Sequence, residues 1–266
     1  VIYRTQFASK SEYLMVFVAK TKTPNEWKVI ANTISTLVEE ATFEATVEGV
    51  SFRAMDPSHV ALVDLNWPNA AFDQYECDKQ YKLTVRVDEF AKLIKRAGSK
   101  GSIEISAEDD DHLTVKLQNG YKKEFKIHLI ESSSEASPIP KLSFNTKVTL
   151  KEDSLADILS DINVLADHII IESTQDGVTF LGKSDAGQAS VTLEKSSEQL
   201  IAMEVKENSR ATYSLQYLVN MVKAAGAASE NITAEYSNKM PLRLEFQLGD
   251  SGGRIHFYLA PRIEER

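Results

Sequence analysis

The sequence predicts an α+β protein built from two duplicated domains, each an antiparallel sheet carrying two helices. Two observations predict the duplication. The run Phe43–Phe52, FEATVEGVSF, aligns with Ile171–Phe180, IESTQDGVTF, and the two turn glycines, Gly49 and Gly177, lie 128 residues apart. Lys92–Gly98, KLIKRAG, aligns with Asn220–Gly226, NMVKAAG, at the same spacing. Two unrelated landmarks sharing one offset argue for a tandem copy. The third observation predicts the sheet: in both copies a β-rich run meets an acidic-Gly turn and a second apolar run leaves it, a strand–turn–strand signal.

At 266 residues, 42% hydrophobic and 26% charged, the chain has enough apolar material for two ordinary cores. A single cysteine, Cys77, excludes an internal disulfide framework and any Cys-based zinc site, and points to a reducing compartment. The net charge is −9. Nucleic-acid binders are more often basic, so any such contact must come from a segregated basic face. No apolar run approaches membrane-spanning length, and no membrane partner is expected. Tyr13–Ala19 follows Arg4 and Lys10 and mimics a weak signal peptide. It reads better as a first strand from Val16, because the chain continues into a capped helix.

Residues 1–15 show no pattern and are read as an extension of unknown role; the first domain spans 16–130. In the first helix Thr23 is the expected N-cap, Pro24 the first helical residue and Glu26 the closing member of a capping box. Trp27, Ile30, Ala31, Ile34, Leu37, Val38 and Ala41 then share one face, with Lys28, Asn32, Ser35 and Glu39 opposite. The hairpin follows, then a Pro57-Ser58 loop, a strand over Val60–Leu65 and an alternating strand over Tyr81–Val87. Asp88 is the expected cap of a second helix that buries Phe90, Leu93, Ile94 and Ala97, shows Lys92, Lys95 and Arg96 outward, and ends at Gly98. Three strands come next, Ser102–Ala107, His112–Leu117 and Lys122–Leu129. Residues 131–140, ESSSEASPIP, form a polar connector between domains. The second domain, 141–266, repeats the plan. Leu155, Ile158, Leu159, Ile162 and Leu165 form its first helical face and Leu218, Met221, Val222 and Ala225 its second, and the last strands are Ile232–Tyr236, Leu242–Leu248 and Arg254–Leu259. About eight strands per copy are expected, with helices on one face. The sheet edges need a guard or a partner, which a ring of subunits paired edge to edge supplies.

Catalytic patterns are missing. There is no GxxxxGK[ST], HExxH or CxxC, and the histidines at 59, 112, 128, 168 and 256 have no ligand spacing, so no cofactor or metal is expected. Gly249-Asp250-Ser251-Gly252-Gly253 matches the nucleophile loop of trypsin-like proteases. A serine hydrolase using Ser251 is therefore the different-class alternative. It is disfavoured because none of the five histidines sits in that family's Ala-Ala-His-Cys setting, and because Gly, Asp and Ser make an ordinary hairpin turn between two strands. The sequon Asn231-Ile232-Thr233 carries no weight without a secretory route.

Three stretches resemble the DNA sliding clamps of archaea and eukaryotes, the proliferating cell nuclear antigen family. Met55-Asp56-Pro57-Ser58-His59-Val60-Ala61-Leu62 is similar to that family's Met-Asp-x-Ser-His-Val-x-Leu, Tyr81–Gly98 to its second-helix region, and Tyr258-Leu259-Ala260-Pro261-Arg262-Ile263-Glu264 to its C-terminal end. The resemblance runs from about Val16 to the terminus, and the Asp-Pro-Ser-His version is archaeal in type. It implies a non-catalytic homotrimeric ring around duplex DNA, acting as a processivity factor. Its implied partners are DNA polymerase, the clamp loader, flap endonuclease and ligase, held through short interaction peptides. It implies a cytoplasmic, nucleoid-associated location, or a nuclear one if the source is a eukaryote. A subunit of a heterotrimeric ring is the alternative within the fold.

The resemblance places Lys28, Lys92, Lys95, Arg96 and Lys223 in the lumen, where phosphate contacts would be sequence-independent and salt-sensitive; by themselves these residues read equally as solubilising surface cations. Asp157, Ser160 and Asp161 depart from the family, which often carries arginines at the first two positions. This weakens the expected positive field beside the third helix. The implied peptide site comprises Met55, His59, Val60, Leu62, Ile139, Pro140, Pro241, Tyr258, Leu259, Ala260, Pro261, Arg262 and Ile263, with backbone groups of Ala260–Ile263 pairing to an incoming strand. Met55, Val60 and Leu62 also read as plain core. Ile139 does not, since a Pro-flanked polar connector offers it no local core. Ser137 stands where the family often has Leu, so a shallower pocket is expected on that side.

Overall fold

The computed structural model describes residues 16–132, 137–250 and 252–263. The expected N-terminal extension, the middle of the connector, Ser251 and Glu264 lie outside the described residues. The first half runs β1 (Phe17–Thr21), α1 (Asn25–Ser35), β2 (Glu40–Thr46), β3 (Gly49–Met55), β4 (Ala61–Pro68), β5 (Gln74–Cys77), β6 (Tyr81–Arg86), α2 (Val87–Ile94), β7 (Ser102–Ala107), β8 (His112–Asn119) and β9 (Tyr121–His128). The second repeats that order with β10 (Thr146–Lys151), α3 (Glu152–Asn163), β11 (His168–Thr174), β12 (Gly177–Ser184), β13 (Gly187–Glu194), β14 (Leu200–Val205), β15 (Ser209–Ser214), α4 (Leu215–Ala225), β16 (Asn231–Tyr236), β17 (Leu242–Leu248) and β18 (Gly253–Leu259). Among the described residues each half has nine strands, against about eight expected. In the first half β5 is the one the sequence hides, because four residues are too few to establish a period.

Both ends of the first two helices differ from expectation. The α1 helix begins at Asn25 and stops at Ser35, so Leu37 and Val38 follow it and Ala41 belongs to β2. The Thr23 hydroxyl does not accept a backbone N–H; it donates to the Glu26 carboxylate at 2.9 Å, an acid placed favourably in the first turn. The α2 helix starts at Val87, which puts Asp88 inside its first turn rather than at the cap. Each hairpin glycine is required by close approach. A Cβ on Gly49 would lie 2.2 Å from the Trp67 carbonyl oxygen, and one on Gly177 2.3 Å from that of Leu193.

All strand pairs are antiparallel. One sheet runs β5-β1-β7-β8-β9, another β13-β12-β11-β15. The third, of nine strands, crosses both halves in the order β14-β10-β16-β17-β18-β4-β3-β2-β6. Its midline is the pairing of β18 with β4, Leu259 opposite Ala61 through Arg254 opposite Asn66. The helices gather together: α1 packs on α2, α3 on α4, and α1 on α4 across the midline. The first core is aromatic, with the Trp27 and Trp67 rings 4.8 Å apart and Phe43, Phe72 and Phe90 around Trp27. At the positions 128 residues after Trp27, Phe43 and Phe90 the second half has Leu155, Ile171 and Leu218, all buried. Among the described residues no helix is long and apolar enough to cross a membrane.

A buried carboxylate ties the halves together beside the midline. Asp56, in the β3–β4 loop, accepts N–H bonds from Ser58, Val60 and Ala61 at 3.1, 2.8 and 2.6 Å, and the Tyr217 hydroxyl of α4 at 2.8 Å. Burial pushes this carboxyl up, but the bonds from Ala61, Tyr217, Val60 and Ser58 outweigh it and hold the group below its ordinary 3.8. Asp56→Ala is expected to cost about 3 kcal/mol in denaturant unfolding, since it strands buried donors, and Tyr217→Phe about 1 kcal/mol. Because the folded pKa is depressed, the stabilisation from ionised Asp56 is complete above the unfolded value and is lost as pH falls through the folded one. The stability gap between the wild type and Asp56→Asn should therefore narrow in titrations carried below pH 3.8.

Candidate functional site

The gathered helices carry the expected cations in unequal states. Lys95 and Arg96 follow the last turn of α2 and are exposed, as is Lys223 in the last turn of α4. Positive charge there complements the carbonyl ends of both helices. Lys92 is exposed but bonded to Asp88, one turn earlier, at 2.9 Å; that bond raises the lysine's pKa and lowers the aspartate's. Lys28 corrects the expectation of a free surface cation. It is half-buried, and its ammonium donates to the Gly98 carbonyl in the loop after α2 at 2.9 Å. Lys123 of β9 does the same at Arg96 O, 3.4 Å away. On α3, Asp153, Asp157 and Asp161 are exposed at successive one-turn spacings, and Ser160 is exposed beside them. Glu152 next to them is half-buried, its carboxyl pushed up by burial and then by Asp153 and Asp157.

The expected peptide-site residues lie along a cross-strand row on the nine-stranded sheet. Residues 55, 62, 258 and 243 are successive cross-strand neighbours on β3, β4, β18 and β17, which sets Met55, Leu62, Tyr258 and Arg243 in one row over the midline. Leu62 and Tyr258 are 3% and 7% exposed, while Met55, Val60, Pro241 and Pro261 are half-buried and His59 and Pro140 exposed. Ile139 is 40% exposed, consistent with a side chain that lacks a local core. His59 has φ of +57°, rare outside glycine, with its N–H on the Asp56 carbonyl at 2.9 Å. Leu259 corrects the expectation: it is fully buried in the hydrophobic core and offers nothing to a peptide. The tail needs a second correction. The Ala260 N–H is already bonded to Val60 O at 2.9 Å and the Arg262 N–H to Thr212 O at 2.7 Å, and Pro261 has no N–H, so those donors are not free to pair with an added strand. Ile263 beyond them is 90% exposed.

A polar row missing from the sequence reading runs beside the apolar one, through Arg53, Asp64, His256 and Glu245. Arg53 Nε donates to Asp64 at 2.7 Å, and the His256 ring lies 2.9 Å from Glu245, whose carboxyl that bond holds below its ordinary value. Arg53 also reaches the Ser137 carbonyl at 3.5 Å, which brings the connector across this row, and the Arg243 guanidinium stacks 5.2 Å from the centre of the Phe144 ring. Strand parity alone puts Arg53 on the face of Met55, Asp64 on that of Leu62 and His256 on that of Tyr258; the pairing of β4 with β18 joins them. Gly249, Asp250 and Gly252 connect β17 to β18, as expected for a hairpin turn. Among the described residues no group of three or more His, Cys, Asp or Glu side chains is arranged to hold a metal ion.

Two family models match the chain, the N-terminal domain of proliferating cell nuclear antigen over residues 16–135 and its C-terminal domain over 138–262. The DNA polymerase sliding clamp of Cenarchaeum symbiosum is 49% identical over 249 residues, covering 94% of this chain and 99% of that protein. The protein of the same name from Thermococcus gammatolerans is 33% identical, covering 90% of this chain and 96% of its own length. Among solved structures, proliferating cellular nuclear antigen from Entamoeba histolytica superposes with a TM-score of 0.87 at 25% identity, covering 94% of this chain and all of that one. The chain belongs to the proliferating cell nuclear antigen family.

Proposed function

We propose that three copies of this chain close head to tail into a ring around duplex DNA, and that the ring acts without chemistry of its own as a processivity factor and docking platform. The observation that carries this is the junction between the halves. β18 pairs with β4 inside the chain. The strands at the same places in the opposite halves are β9 and β13, and both stand at sheet ends. A second copy that sets its β13 against β9 repeats the junction already present, and repetition of one rotation closes a ring. Charge supports the match. β9 carries Lys122, Lys123 and Lys126 against one acid, Glu124, and packs beside α2. β13 packs beside α3 with its Asp153, Asp157 and Asp161. Both halves of the match reside on one chain, which favours a homotrimer over a heterotrimer. It also gives the α3 acids a role at the seam rather than toward DNA.

Lys95, Arg96 and Lys223, with Lys92 in part, are the cations we assign to duplex phosphates. Client peptides of DNA polymerase, clamp loader, flap endonuclease and ligase are assigned to the groove of Met55, Val60, Ile139, Pro241 and Pro261, with His59 and Pro140 at its rim and Leu62 and Tyr258 as its floor. We place the domain division at the connector, 131–140.

Light scattering on the purified chain should give three times the 29.7 kDa of one copy; a stable monomer at micromolar concentration refutes the ring. Asp157→Lys with Asp161→Lys should shift that mass toward the monomer. Lys92→Glu with Lys95→Glu should leave the mass unchanged and lower polymerase stimulation, flattening its log–log salt dependence by about 1 per lost phosphate contact. Ile139→Ala with Pro261→Ala should weaken capture of partner peptides about tenfold while the ring persists; unchanged peptide affinity removes the groove assignment.

A further inference from the structure

Two arginines hold the connector segment against the sheet face that carries Met55 and Tyr258. Arg53 of β3 donates to the Ser137 carbonyl at 3.5 Å while its Nε is bonded to Asp64 at 2.7 Å. Arg243 of β17 lies against the Phe144 ring, 5.2 Å from its centre, while its Nε is bonded to Glu235 at 2.7 Å. Asp64 and Glu235 are 15% and 12% exposed and Arg53 and Arg243 30% and 29%, so each guanidinium sits on a sunken carboxylate with the chain over it. A guanidinium suits that task, since after pairing with a carboxylate it keeps further donors and a flat face, which an ammonium lacks. The strand order β3, β4, β18, β17 puts the two arginines three spacings apart, about 14 Å, on either side of the midline. The seven chain steps from Ser137 to Phe144 reach at most about 25 Å, so the segment crosses in an extended form. Pro138 and Pro140 favour that form by fixing their own φ and keeping the residues before them extended. Ile139 lies between the two fastenings, 40% exposed. None of these residues belongs to β9 or β13, so edge pairing between copies along those strands leaves the arrangement as it is.

We propose that Arg53 and Arg243 are positioning residues for client capture: they fasten segment 137–144 at both ends, so that Ile139 is held beside the cross-strand row before a peptide arrives. Neither arginine needs to touch the peptide. A stiff segment pinned at two points has few arrangements, whereas one released at either end swings away from the row. Apparent affinity then falls by the fraction of time the binding arrangement is populated. The inference rests on the reading of the row as the peptide site, and it assigns to that site two residues that act through the connector.

The test takes two readouts on the intact assembly. Anisotropy of a fluorescein-labelled DNA polymerase client peptide reports capture. The rate of tryptic cleavage after Lys141, located by mass spectrometry, reports how often the segment opens, since Lys141 is exposed but cleavage needs the chain around it released. Arg53→Gln and Phe144→Leu should each weaken capture about tenfold and speed cleavage by a similar factor, with the light-scattering mass unchanged. Phe144→Leu leaves both arginine–carboxylate pairs in place, so it keeps the test open if an arginine variant folds poorly. Phe144→Tyr retains the aromatic face and should behave as the wild type. Arg243→Gln combined with Phe144→Leu should lose no more than either alone, because the two side chains form one contact. Wild-type capture by Arg53→Gln or Phe144→Leu, where Ile139→Ala with Pro261→Ala weakens it, overturns the proposal and leaves the peptide site standing. Unchanged cleavage at Lys141 in either variant overturns it too. Faster cleavage with full capture by every variant, Ile139→Ala with Pro261→Ala included, refutes the peptide site itself and the positioning role with it.

Discussion

Along β18 and β4, from Leu259 against Ala61 to Arg254 against Asn66, the backbones of the two halves pair as neighbours in one sheet. Each strand would otherwise present an edge of unpaired N–H and C=O groups, which is costly when buried and an invitation to aggregate when exposed. Joining them makes nine strands continuous and brings the proposed peptide-site residues into one cross-strand row. The apolar row from Met55 to Tyr258 and the polar row from Arg53 to Glu245 exist because this pairing sets strands from distant parts of the chain side by side. The Asp56–Tyr217 bond then fixes the loop at the rim of the groove to a helix on the opposite face. That bond links the loop beside the proposed peptide site to the helix surface.

The cations of that helix surface divide by task. Lys28 and Lys123 donate to carbonyls of the segment after α2, at Gly98 and Arg96, and Lys92 is shared with Asp88. Lys95, Arg96 and Lys223 remain extended into solvent beside helix C-termini. A surface of a few mobile, solvated cations suits contact with a polyanion that must move, because each contact is weak and quickly exchanged. The acids of α3 would oppose such contact if they faced it. Their regular spacing and their place beside an edge strand are better suited to a neighbour's lysines than to a phosphate.

Much of the architecture was legible from particular residues. Gly49 and Gly177 occupy the same turn in both copies because a strand backbone passes too close for any side chain, and a constraint of that kind repeats when the domain is duplicated. The helical faces of Trp27–Ile34 and Leu218–Ala225 followed from their period. Helix ends were less legible. Thr23 and Asp88 are good capping residues, yet each met a different partner: the Thr23 hydroxyl found the Glu26 carboxylate, and Asp88 found Lys92. The groove was legible where a side chain violated its local context, as Ile139 does. The burial of Leu259 and the bonded N–H groups of Ala260 and Arg262 were not legible, since a tail sequence does not say which face a strand residue takes or which of its N–H groups are already bonded.

By itself, then, the sequence determined the duplication, the alternation of strands and helices, the absence of catalytic spacing and the identity of the family, because these depend on short-range periodicity and on motifs that survive as strings. The tertiary structure alone decided which strand of one half lies against which of the other, which lysines bond within the chain and which extend from it, and which tail N–H groups are already bonded. Those outcomes turn on pairings between residues up to about two hundred positions apart, as between Ala61 and Leu259, and no local pattern encodes a register across that distance.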